Sequence, residues 1–110
     1  MNEKFKLIDY TKGLIDYITS LVANYPRVKY DLKSRILDTS HSILKDIYKA
    51  NIRDDRLEIQ KDILVDISML DYYLDYSYKN KLITYKQLSK AAGILTTVRK
   101  MMSGWIKSES

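Results

Sequence analysis

Apolar residues recur along the chain at steps of three and four, in four long blocks. In the first, Leu7, Leu14, Ile18, Leu21 and Tyr25 keep this spacing, and Ile8, Ile15 and Val22 widen the stripe. The second carries Leu32, Ile36, Thr39, Ile43, Ile47 and Ala50. In the third, Leu57, Leu64, Ile67, Leu70 and Leu74 form the stripe, and Ile59 and Ile63 widen it. The fourth holds Leu88, Ala92 beside Ala91, Leu95, Val98, Met102 and Trp105. A period near 3.6 sets such residues on one face of a helix, whereas a half-buried strand alternates at two. The pattern predicts helices over about 3–25, 28–50, 55–79 and 84–107.

The breaks between blocks carry helix punctuation. Pro26 disfavours helical geometry in the residue before it and suits the first turn of the next helix. Asp55 and Glu58 have capping-box spacing at the third helix, as do Thr84 and Gln87 at the fourth. Asn80 is the expected left-handed residue after the third helix. Helices of this length joined by connections this short pack as antiparallel neighbours. The expected fold is all-α, an up-and-down antiparallel four-helix bundle in one domain spanning 1–110. Three glycines and one proline in 110 residues suit that architecture.

Cysteine is absent, which removes disulfides and thiolate metal sites. The longest stretch without a charged residue, Tyr17 to Pro26, is far short of the roughly 20 residues that span a bilayer. The first residues are too charged for a secretory core, so a cytoplasmic protein without a membrane role is expected. The net charge of +5 is unevenly spread. Residues 1–75 hold 12 Lys or Arg against 13 Asp or Glu, and residues 76–110 hold seven against one. A basic terminal third points to an anionic partner, with a merely solubilising face as the plain alternative.

Candidate chemistry is sparse. His41 is the single histidine, and Asp38 lies three residues before it on the same helix face. Carboxylate-x-x-His is half of a di-metal pattern in some bundles, but the second half needs another histidine. Asp62 and Asp66 share a face and read as solvated residues. No nucleophile elbow, phosphate loop, dinucleotide-binding glycine pattern or zinc spacing is present, so no catalytic, metal or cofactor site is expected and enzyme is an unfavoured class. The ten tyrosines are more telling. Tyr72, Tyr73, Tyr76 and Tyr78 crowd one stretch, and a helix turning about 100° per residue cannot aim them all inward. Tyrosine suits interfaces and base stacking. Tyr72, Tyr73, Tyr76 and Trp105 are the expected oligomer contacts. The wide stripes of helices 1 and 3 support the same idea, and Gly104 and Gly93 suggest close approach of a neighbouring helix or subunit.

The run Val98-Arg99-Lys100-Met101-Met102-Ser103-Gly104-Trp105 resembles the carboxyl-terminal motif of the Avd-like four-helix bundle family: an apolar and a small residue, Arg, two apolar residues, two small residues, then Trp. Tyr25-Pro26-Arg27 resembles that family's junction between helices 1 and 2. These are the accessory variability determinants of diversity-generating retroelements, related to four-helix proteins encoded in intervening sequences of bacterial large-subunit ribosomal RNA genes. Lys100 stands where arginine is usual, keeping the charge but losing bidentate phosphate contact. Arg99 stands where glycine is frequent. The resemblance implies a homopentamer with a basic surface that associates with a reverse transcriptase and its RNA and performs no chemistry itself.

Two readings follow. In the first, the protein is a non-catalytic accessory factor that binds RNA or DNA, with Arg27, Lys29, Lys33, Lys79, Lys81, Lys86, Lys90 and Lys100 on the phosphates. In the second it is a protein-interaction scaffold with no nucleic-acid role. The readings part on whether the basic residues pair with Asp38, Asp46, Asp62, Asp66 and Asp71 of neighbouring helices.

Overall fold

A computed structural model describes residues 3–109, with side chains from Lys6 onward. Met1, Asn2 and Ser110, the ends of the expected domain, lie outside the described residues. Four α-helices follow one another: α1 (Glu3–Val22), α2 (Tyr30–Asn51), α3 (Leu57–Lys79) and α4 (Tyr85–Ser108), with a single 3-10 turn at Arg27–Lys29 before α2. α1 packs on α2 and α4, and α3 on α2 and α4, so each helix touches two neighbours around one core. The bundle measures 42 by 23 by 18 Å. Because the helices alternate in direction, the α1–α2 and α3–α4 connections share one end, and the α2–α3 connection lies at the other.

The predicted stripes build the core, with shifts of one position. Leu14, Ile18, Ile36, Ile43, Ile47, Ile67, Leu70, Leu74, Val98 and Met102 are buried as the period requires. Ser40 is buried in place of Thr39, and Ala91 in place of Ala92. In α3 the buried face runs through Gln60, Ile63 and Ile67, which leaves Leu64 half-buried and Leu57 exposed. The wide stripe of α1 is absorbed inside the protomer, since Leu14, Ile15, Ile18, Leu21 and Val22 are all buried. That of α3 is not: Val65, Met69, Tyr72 and Tyr76 form an exposed row on the face opposite the core.

Several termini differ from expectation. α1 stops at Val22, three residues before Tyr25. Tyr25 nonetheless turns into the core, and burial pushes its phenol pKa up, offset in part by the Ser77 hydroxyl beside it. Pro26 sits in extended backbone ahead of the 3-10 turn rather than inside a helix. Asp55 does not cap α3. The Arg53 guanidinium grips it through Nε at 3.1 Å and Nη2 at 3.0 Å, which holds the carboxyl below its ordinary pKa. Glu58 pairs forward with Lys61 at 3.8 Å, and α3 begins at Leu57 without a side-chain cap. At α4 the capping box forms as expected. The Thr84 hydroxyl accepts from the Gln87 N–H, and the Gln87 side chain accepts from the Thr84 N–H.

The far end of the bundle is tied by Glu109. Its carboxylate accepts from Gln60 Nε2 at 3.1 Å and lies 3.7 Å from Arg56, whose guanidinium sits over the Trp105 ring. Trp105 is thereby part of the core, 6% exposed. A Cβ built on Gly93 or Gly104 would meet nothing within 4 Å, so the close approach expected there does not occur within the protomer.

The α3 terminus carries the one positive φ among the described non-glycine residues, and it belongs to Lys81 at 62°, not to Asn80. Leu82 N–H donates to Ser77 C=O and Lys81 N–H to Tyr78 C=O, the paired bonds of a Schellman motif. Asn80 uses its Nδ2 to satisfy the Tyr76 carbonyl at 2.8 Å. A side chain at this left-handed position costs about 1 kcal/mol that glycine avoids. Lys81→Gly is expected to raise the melting temperature by about 4 °C at fixed protein concentration, read by circular dichroism. An unchanged or lower melting temperature would mean that Lys81 makes compensating contacts.

Candidate nucleic-acid interface

The alternation of helix direction collects cations that the sequence separates. Arg27 and Lys29 lie in the α1–α2 connection, and Lys33 on the first turn of α2. Lys79 ends α3, Lys81 holds the turn, and Lys86 is the second residue of α4. All six stand at the same end of the bundle. Lys90 is one turn further along α4, and Lys100 lies about 15 Å beyond it, apart from the cluster. The acids at this end are Asp31 in the first turn of α2 and Asp75 near the close of α3.

Tyrosines stand among these cations. Tyr30, Tyr76, Tyr78 and Tyr85 are all exposed, Tyr85 the most at 68%. Lys29 Nζ lies 5.8 Å from the centre of the Tyr76 ring, and Lys33 Nζ 5.3 Å from that of Tyr30. Cation–π contacts of this kind steady a lysine without neutralising it. Tyr78 and Tyr85 meet edge to face at 5.9 Å between centroids. On the flank, Lys90 Nζ sits 4.5 Å over Tyr17. Lys79 bonds to Asp75 at 3.0 Å, an exposed pair that a competing phosphate can displace at little cost. Among the described residues, Lys81, Lys86 and Lys100 make no ion pair, and no cation of the site pairs with Asp38, Asp46, Asp62, Asp66 or Asp71.

Of the expected oligomer contacts, Tyr72 and Tyr76 lie on the exposed row of α3, with their rings 6.2 Å apart. Tyr73 is half-buried and packs against the core, and Trp105 lies inside it. Sequence reasoning did not place Tyr30, Tyr78 or Tyr85 in the site. The available signal was their position within two residues of a lysine at each helix end.

A profile of the bAvd-like family matches residues 3–109. The chain belongs to the bAvd-like family. No curated protein matches it. The family assignment agrees with the two motifs at Tyr25-Pro26-Arg27 and Val98–Trp105, and with the four-helix architecture.

Elsewhere on this bAvd-like protein the candidate chemistry takes its plain form. His41 Nδ1 contacts the Leu37 carbonyl one turn back at 2.8 Å, and the ring is exposed. No group of three or more His, Cys, Asp or Glu able to hold a metal occurs among the described residues. No helix among them is long and apolar enough to cross a membrane.

Asp62 and Asp66 do more than sit in solvent. Burial against α3 raises the pKa of Asp46 on α2, and repulsion from Asp66 and Asp62 adds to the rise, against the pull of Lys49 and Lys45. A carboxyl whose folded pKa lies above its unfolded value binds more protons when folded. Its contribution to stability is therefore present below the unfolded value and lost as pH rises through the folded one. Asp46→Asn removes that loss. It is expected to raise the melting temperature at pH 7 and to have little effect near pH 3. A substitution effect equal at both pH values would show that Asp46 ionisation carries no strain.

Proposed function

We propose that the protein is a nucleic-acid-binding accessory factor of a diversity-generating retroelement. In this reading it assembles as a homopentamer and associates with a reverse transcriptase and its template RNA in the cytoplasm, without performing chemistry. The observation that carries the proposal is the bundle end where six cations meet four exposed tyrosines. Clustered cations over a polyanion release condensed counterions, and aromatic faces among them add stacking. Membership of the bAvd-like family supports the accessory role.

Assembly would follow from the outer face of α3. Val65, Met69, Tyr72 and Tyr76 are 39–60% exposed and spaced as one helical row. An apolar row of this kind is what a subunit contact covers. Rotational repetition would set several basic ends around one axis and multiply a modest local field.

The scaffold reading requires that the cations be spent on the aspartates of adjacent helices. Of the described ion pairs, Lys79–Asp75 alone takes a cation of the site, and it lies within α3 rather than between helices, which favours the nucleic-acid reading.

Light scattering of the protein with and without a structured RNA, at low and high salt, tests the proposal. A pentamer that takes up RNA at low salt and releases it at high salt is expected. For a single strand, six phosphate contacts give a slope of log affinity on log salt of roughly −4. Substituting Lys79, Lys81 and Lys86 by Gln should bring that slope to about half. A monomer indifferent to RNA would overturn both parts of the proposal, and a salt-insensitive affinity would overturn the phosphate contacts.

A further inference from the structure

The turn between α3 and α4 is built differently from the rest of the basic end. Tyr78, the penultimate residue of α3, and Tyr85, the first residue of α4, come from opposite sides of the turn and meet edge to face, 64° between ring planes. Such a contact occupies one face of one ring. Tyr85, the most exposed aromatic ring in the described chain, offers its remaining surface to solvent. Beside the pair lies an open depression of about 410 Å³, lined by Tyr78, Lys79, Lys81, Leu82, Thr84 and Gln87. That volume lies in the range of small-ligand clefts. Lys79 and Lys81 stand on its wall, and Lys86 follows Tyr85 in the first turn of α4.

We infer that this turn is a stacking site for unpaired nucleotides, so that the protein prefers single-stranded to double-stranded nucleic acid. The inference rests on the nucleic-acid reading above and narrows it to a substrate class. In a duplex the base faces are already stacked on one another, and only the phosphates are open to these side chains. In a single strand the faces are free, and a base can lie against Tyr85 or enter the depression beside Tyr78 while its phosphates meet Lys79, Lys81 and Lys86. The polar groups nearest the rings are already engaged. Thr84 and Gln87 hydrogen-bond each other's backbone in the capping box, which leaves them ill-placed to read base edges. Stacking with little sequence preference follows, because every base has a π-face. A lysine in the left-handed position of the same turn fits this use. Glycine would hold the turn at lower cost but would remove a cation from the wall of the site.

The test is fluorescence anisotropy of labelled dodecauridylate and of a 12-base-pair RNA duplex, with the full-length protein at low salt. The wild type is expected to bind the single strand at least about fivefold more tightly than the duplex. Tyr85→Leu, at an exposed position that keeps apolar bulk, should weaken the single strand by about tenfold and change the duplex by less than twofold. Tyr85→Trp should restore or exceed wild-type binding of the single strand, which a merely structural role for Tyr85 would not produce. Equal affinity for the two probes, or a Tyr85→Leu variant that binds the single strand normally, overturns the stacking site and leaves phosphate binding standing. Failure of both probes to bind at low salt overturns the nucleic-acid reading together with it.

Discussion

The antiparallel packing of four helices of nearly equal length is the constraint on which the rest of the molecule depends. Each helix has an apolar stripe that is stable only when covered, and connections of five to seven residues favour a reversal of direction. Reversal brings the first and third connections to the same end. Arg27 and Lys29 thus come to lie near Lys81 and Lys86, more than fifty residues away in sequence. No residue at that end is unusual alone. The topology makes a site of them, and it does so without any contribution from the core beyond holding four rods in register.

The faces of the bundle differ in character. α3 carries five acidic residues against two lysines, and its outer row is apolar. α4 carries five cations and no acid between Tyr85 and Ser108, and its outer face includes Gly93 and Gly104. These glycines have no neighbour within the protomer, so each leaves a helix interior less stable than alanine would make it. In the proposed function, the apolar face of α3 would meet a copy of the protomer and the basic end a polyanion.

The fold was largely legible in the sequence because burial at a period of 3.6 leaves a direct record. Where the record misled, it was by one position: Thr39 for Ser40, Ala92 for Ala91, and Leu57 and Leu64 for the face centred on Ile63. A stripe defines a face only to within about a residue, and the neighbouring helices choose the centre. Thr84 and Gln87 were legible because nothing competes for them. Asp55 was not, since Arg53 two residues earlier claims its carboxylate. Lys81 could not have been read as left-handed, because its propensity argues against it and Asn80 stood next to it. For the site, five of the eight cations were visible as the charge bias of the last third and Arg27, Lys29 and Lys33 as the cations of the first junction, but the convergence of six of them at one end was not. Lys100 falls outside the cluster because α4 carries it toward the middle of the bundle. Tyr30, Tyr78 and Tyr85 escaped notice because exposure at a helix end is decided by the path of the connection, which periodicity does not encode.

The central claim is a location: nucleic acid meets the end of the bundle that holds both the α1–α2 and α3–α4 connections. Photo-cross-linking with an oligonucleotide containing 4-thiouridine, followed by peptide mapping, reads that location directly. The account predicts adducts within residues 27–33 and 76–90, with Tyr85 among them. Adducts confined to residues 51–61, at the opposite end beside Arg53 and Lys61, would contradict it.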